Sequence, residues 1–195
     1  MSSLPPSSLF VSRPVYARLE PRPCSAALMI CDDNGAAALA DLGRAAPDLM
    51  TKTTIIHVAA TARPGALIDL ARRYDETSDL NAAIDAAMAN ARMGLQVFLA
   101  GSEGVIAQAQ ARLLLHGVPL GAIQSEHRGT AARRMQCVHC KTIAENVTTD
   151  PYTCPGCGRA LFVRDHFSRR LGAFQGVCVD AETPGIIPDP VEIRL

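Results

Sequence analysis

The stretch Val97–Pro119, VFLAGSEGVIAQAQARLLLHGVP, decides how the first two thirds of the chain is read. An apolar run, Leu95–Gly101, stops at Gly101-Ser102-Glu103-Gly104, and a long helical pattern starts at once. A buried strand turning directly into a helix is the front half of a parallel βαβ unit, and that turn is where many such units hold a phosphate. Working outward, SAALMICDD (25–33) and TTIIHVAA (53–60) are short runs of the kind buried on both faces of a sheet. Helical spacing follows in NGAAALADLGRAAP (34–47), RPGALIDLARRY (63–74) and SDLNAAIDAAMANAR (78–92). Ser78 or Asp79 is placed to cap the last of these, with Ala82, Ile84, Ala87 and Met88 as its apolar stripe. GAIQSEHRG (121–129) reads as a closing strand. Strands alternating with helices predict an α/β fold with an open parallel sheet.

The chain has 195 residues, 48% of them hydrophobic, and equal numbers of acidic and basic groups. That supports one medium domain with a core plus a small appendage, and it argues against a nucleic-acid role spread over the whole surface. No run of 18 apolar residues is present, so no helical membrane span is expected. Residues 1–24, rich in Pro and Ser, lack the pattern of a signal peptide and read as an extended arm. The expected organisation is this arm, an α/β domain over 25–132 and a cysteine module over 133–168. An extended tail over 169–195 would then dock on partners through its apolar residues. TAARRMQ, 130–136, reads as a polar linker into the module.

Seven cysteines are unevenly placed: Cys24, Cys31 and Cys178 stand alone, whereas Cys137, Cys140, Cys154 and Cys157 form two Cys-x-x-Cys pairs 13 residues apart. Two thiolate pairs on tight turns converge on a tetrahedral S4 site suited to zinc or iron, and this usage suits a reducing, cytoplasmic compartment. The spacing is slightly tighter than that of the usual zinc ribbon. A structural zinc would supply folding free energy to a module too small for its own core, whereas an Fe(Cys)4 centre would pass electrons. Rubredoxins space their turns more widely and pack aromatics around them. Here Trp is absent and Tyr152, Phe162 and Phe167 are the nearby aromatics, so zinc is placed ahead of iron. His139 and His166 are not needed as ligands. Arg133, Arg134, Arg159, Arg164, Arg169 and Arg170 make the module basic, which fits a solvated face, an acidic partner or, with few stacking positions, nucleic acid. His57 ends an apolar run and reads as a core residue; Cys31 reads as a small buried hydrophobe rather than a reactive thiol, and Leu28 and Met29 as packing.

Leu99-Ala100-Gly101, His116-Gly117-Val118-Pro119 and Ile123–Glu126 resemble the end of the nicotinamide-binding domain of ferredoxin reductase-type flavoenzymes. That resemblance implies a sheet of the reductase type. Ala100 stands where those enzymes have a cysteine near the nicotinamide, and Ser102-Glu103 replaces their Pro-rich turn. In the first loop, CDDNGAAAL, Asp32 and Asp33 would repel a diphosphate, so loss of dinucleotide binding is expected.

Over Arg134–Gly185, MQCVHC and TCPGCGRALFVRDHFSRRLGAFQGVCVDAETPG are similar to the small A-type subunits of bacterial dimethylamine monooxygenase. This resemblance implies a multi-subunit, NADPH-dependent oxygenase giving methylamine and formaldehyde from dimethylamine. Haem, FMN and an iron–sulfur cluster would sit on partner subunits only. No catalytic or cofactor-binding residue is assigned to this chain; the assigned metal ligands are Cys137, Cys140, Cys154 and Cys157. The alternatives are a rubredoxin-like Fe(Cys)4 electron-transfer component and a nucleic-acid-binding zinc ribbon.

Overall fold

The computed structural model describes residues 12–58 and 73–194. Five strands form an all-parallel sheet: β1 (Ala26–Asp32), β2 (Thr53–Val58), β3 (Arg73–Thr77), β4 (Leu95–Gly101) and β5 (Ile123–His127), in the order β3-β2-β1-β4-β5. The chain runs outward from β1 to one edge and returns past it to the other, so the winding reverses between β1 and β4. In open α/β sheets the binding crevice lies at that switch, beyond the carboxyl ends of the strands. The central strands are apolar on both faces because helices cover both. Helices α1 (Ala36–Ala45) and α2 (Pro47–Met50) close one side over Met29, Ile55 and Phe98. Helices α3 (Leu80–Met88) and α4 (Glu103–Leu115) close the other over Leu28, Ile30, Val97 and Leu99.

The Asp79 carboxylate accepts the N–H of Ala82 and caps α3. Ile84 faces the core as expected, but Ala82 is exposed and Ala83 packs inward in its place. The expected helix over 63–74 is corrected at its end, where Arg73 and Tyr74 open β3; its remainder lies outside the described residues. β3, RYDET, is a polar edge strand lacking the apolar run that reveals its neighbours.

From Ser12 to Cys24 the arm lies against its own chain. Ala17 N–H donates to Ser125 O (3.2 Å) and Leu19 N–H to the Glu126 carboxylate (2.8 Å), while Glu20 and Gln124 exchange two bonds. Tyr16 packs into the core on one side of the sheet and Leu19 into the core on the other. The segment thereby covers the β5 edge, which would otherwise present unpaired backbone groups.

A second sheet follows, in the order β7-β6-β11-β10-β9: β6 (Arg133–Cys137), β7 (Ile143–Val147), β9 (Tyr152–Thr153), β10 (Ala160–Ser168) and β11 (Ala173–Cys178). Two expectations are corrected here. The supposed linker contains β6, which is central, with Met135 and Cys137 fully buried. The supposed tail begins inside the sheet, because β11 pairs with both β6 and β10. Past Cys178 the chain is largely exposed, and β12 (Val191–Glu192) pairs only with β8 (Thr149–Asp150). The second sheet rests on α4: Ala107 shares a core with Met135, Val163, Phe167 and Phe174. Gly172, at φ +59, turns β10 into β11 so close to the Ala107 carbonyl that a side chain there would collide with it.

Candidate metal centre

The turns of the second sheet are two copies of one knuckle. In CVHCKT, Cys137 N–H donates to Thr142 O (2.9 Å) and Lys141 N–H to Cys137 O (3.0 Å). In CPGCGR, Cys154 N–H donates to Arg159 O (2.9 Å) and Gly158 N–H to Cys154 O (2.9 Å). Each loop reverses through a left-handed residue, Lys141 at φ +66 and Gly158 at φ +70. Facing each other, the knuckles bring the four Sγ atoms within 4.8 Å of one another, with Cys137 and Cys157 at 3.9 Å and Cys140 and Cys154 at 3.5 Å. A tetrahedron of sulfurs about 2.3 Å from a zinc ion has edges of about 3.8 Å, so this donor set fits such an ion.

The surroundings favour charge on sulfur unequally. Hydrogen bonds from the hydroxyl and N–H of Thr142 hold the Cys140 thiol down at about 6, and Thr142 Oγ1 lies 3.2 Å from Cys140 Sγ. Cys157 receives the Arg159 N–H, yet burial and the other three sulfurs push it up to about 12. Four sulfurs this close cannot all ionise without a cation between them. Thr142 is wedged against Gly156, where a Cβ would overlap its hydroxyl. Thr142 went unnoticed in the sequence, although aligning CVHCKT with CPGCGR marks its position. His139 and His166 contribute no atom to the cluster.

At the switch between β1 and β4 the two loops are tied together. Asp32 turns its carboxylate into the switch and accepts Gly35 N–H (3.1 Å) and Ser102 N–H (2.9 Å), so a carboxylate occupies a place where a phosphate would be bound. A Cβ on Gly35 would overlap the Ala100 carbonyl, and one on Gly101 the Asp32 carboxylate, so loop and strand are in backbone contact. Glu103, at the start of α4, is buried and hydrogen-bonded by the Tyr16 hydroxyl at 3.1 Å. Burial raises its carboxyl above the usual range.

Beside the crevice, His57 is fully buried, with Nδ1 2.7 Å from Tyr74 Oη and Nε2 2.9 Å from an Asp33 oxygen. Cys31 is fully buried, and burial followed by the charges of Asp32 and Asp33 pushes its thiol up to about 12, far from a reactive thiolate. Leu28 and Met29 pack on opposite faces of β1.

Comparison with known proteins gives a consistent family. Residues 9–123 match the model of the dimethylamine monooxygenase subunit DmmA-like N-terminal domain, and residues 134–177 that of the corresponding C-terminal domain. The heme-dependent oxidative N-demethylase delta subunit of Ectopseudomonas mendocina (strain ymp) is 34% identical over 111 residues, covering 57% of this chain and 63% of that protein. Among solved structures, the ferredoxin reductase in carbazole 1,9a-dioxygenase (FAD apo form) is similar at TM-score 0.44 and 22% identity, over 54% of this chain and 34% of that one. The two model matches together span most of the sequence, and the chain belongs to the dimethylamine monooxygenase subunit DmmA-like family.

Proposed function

We propose that this chain is an accessory subunit of a multi-component, haem-dependent and NADPH-driven N-demethylase acting on dimethylamine, and that it is not itself catalytic. The observation that carries the reading is the Asp32 carboxylate at the switch in a chain of this family. Asp32 sets its carboxylate on the Gly35 and Ser102 amides, so a diphosphate there would meet a carboxylate, and Gly35 packs its backbone on the Ala100 carbonyl. Electron entry from NADPH and oxygen chemistry then belong to a flavin/iron–sulfur reductase subunit and a haem subunit. The α/β part, residues 25–132, acts as scaffold, and the four-cysteine part as a rigid knob beside it.

Cys137, Cys140, Cys154 and Cys157 would hold a zinc ion, whose chemistry in this setting is cross-linking: it ties both knuckles and so the ends of the second sheet. Thr142 orients Cys140, and the N–H of Arg159 supports charge on Cys157. No disulfide joins any of the seven cysteines, which supports a reducing, cytoplasmic setting.

Co-expression tests the proposal. This chain should co-purify with the haem and reductase subunits, carry one zinc, and be required for full dimethylamine turnover by the assembly. Purification as a lone monomer, with the remaining subunits assembling and turning over at full rate, would contradict it. A red, redox-active preparation containing iron would favour the electron-transfer reading.

A further inference from the structure

We infer that the β10–β11 hairpin is a preformed cationic docking element for a carboxylate-rich surface on another protein subunit; this rests on the reading of the chain as part of an assembly. Arg164 and His166 on β10 and Arg169 and Arg170 in the turn are all exposed. Asp165, the acid within this run, is turned to Arg133, whose Nη2 lies 2.7 Å away. Arg133 in turn is buried, stacked 4.4 Å from the centre of the Phe174 ring. The acid that would neutralise the hairpin is therefore spent on an internal cation. Among the described residues, the side chains of Arg164, Arg169 and Arg170 meet no carboxylate.

The turn is also held more firmly than a solvated loop needs. Leu171 and Gly172 N–H groups both donate to Ser168 O (3.2 and 2.8 Å). Arg134, itself paired with Glu145, donates to the carbonyls of Leu171 (2.6 Å) and Gly172 (3.2 Å). Gly172 is pressed on α4. From the other side Phe167 N–H donates to the Ser12 hydroxyl, which donates to Asp165 O. The arginines thus project from a fixed base, which lowers the ordering cost of binding. Arginine in a preorganised array suits bidentate carboxylate recognition. Nucleic acid fits less well: the run is short, and no Phe, Tyr or Trp ring stands exposed within it for base stacking.

The test uses the full chain against the purified haem and reductase subunits, each at 50 and 300 mM NaCl. Arg169→Glu/Arg170→Glu and, separately, Arg164→Glu are compared with the wild type, with metal content and melting temperature as folding controls and Arg92→Glu as a distant surface control. Wild-type affinity for one subunit should fall about tenfold or more across that salt range. The double reversal should weaken binding about tenfold or more at 50 mM and flatten the salt dependence, while Arg92→Glu changes nothing. Folded reversal variants that bind with wild-type affinity and salt dependence overturn the inference while leaving the subunit reading intact. A wild-type chain that binds neither subunit fails both. If it instead binds a 20-base-pair duplex, and the reversals abolish that binding, the basic hairpin serves nucleic acid.

Discussion

The end of the parallel sheet and the knuckles of the second sheet both aim backbone N–H groups at a negative charge, but they obtain that charge differently. At the switch between β1 and β4 it comes from Asp32, which is covalently part of the loop and accepts the Gly35 and Ser102 amides. At the knuckles it comes from four sulfurs that crowd one another, all within 4.8 Å. The first arrangement is complete in itself. The second reaches its most favourable state only with a cation among the sulfurs.

The largest expected effect separates the two regions. Replacing Cys154 by Ala should abolish metal retention and cost the second sheet stability on the order of the 10 kcal/mol that structural zinc gives small modules. Hydrogen exchange should then rise across β6, β10 and β11 while β1 and β4 stay protected; equal loss in both sheets would mean that they do not differ as described. Next is Gly35→Ala, which forces a methyl group into the Ala100 carbonyl. A cost of about 3 kcal/mol is expected by urea unfolding, without any gain in NADPH binding. A neutral result would mean the crevice has room.

Glu103→Gln probes the buried carboxyl beside that crevice. Burial raises its folded pKa above the unfolded value, so the fold favours the protonated form. Its ionisation therefore costs stability as pH rises from the unfolded carboxyl range through the raised folded value, and costs nothing below both. The glutamine variant, which keeps an acceptor for Tyr16, should melt a few degrees higher than wild type at pH 7 and at the same temperature at pH 3.5. A constant difference across pH would sink this explanation. The smallest effect is Lys141→Gly, which relieves the left-handed backbone that Gly158 adopts freely in the partner knuckle. It should stabilise the metal-loaded chain by about 0.5–1 kcal/mol, less the loss of the Lys141 ammonium bond to Val138 O.

Strands β1, β2 and β4 were legible because burial on two faces leaves apolar runs that helices cannot mimic over so few residues, whereas β5, IQSEH, was legible from its place after a long helix. The four cysteines were legible because their spacing carries the geometry. Three features were hidden for physical reasons. β3 lies at an edge, where no face demands apolar residues. β6 carries Arg133 inward, so a buried cation satisfied by Phe174 and Asp165 disguises a core position as a linker. β11 contains Gly176, which lacks a side chain where Met135 packs, and a strand broken by glycine reads as irregular. The arm was legible as extended, but its resting place against β5 depends on long-range bonds to Ser125 and Glu126 that no local pattern encodes.

The central claim is that the Asp32 carboxylate at the β1–β4 switch stands where a nucleotide's phosphates would lie. It is tested most directly by calorimetric titration of the purified, metal-loaded chain with NADPH. The account predicts no heat of binding at millimolar nucleotide; a saturable isotherm with a micromolar Kd would contradict it.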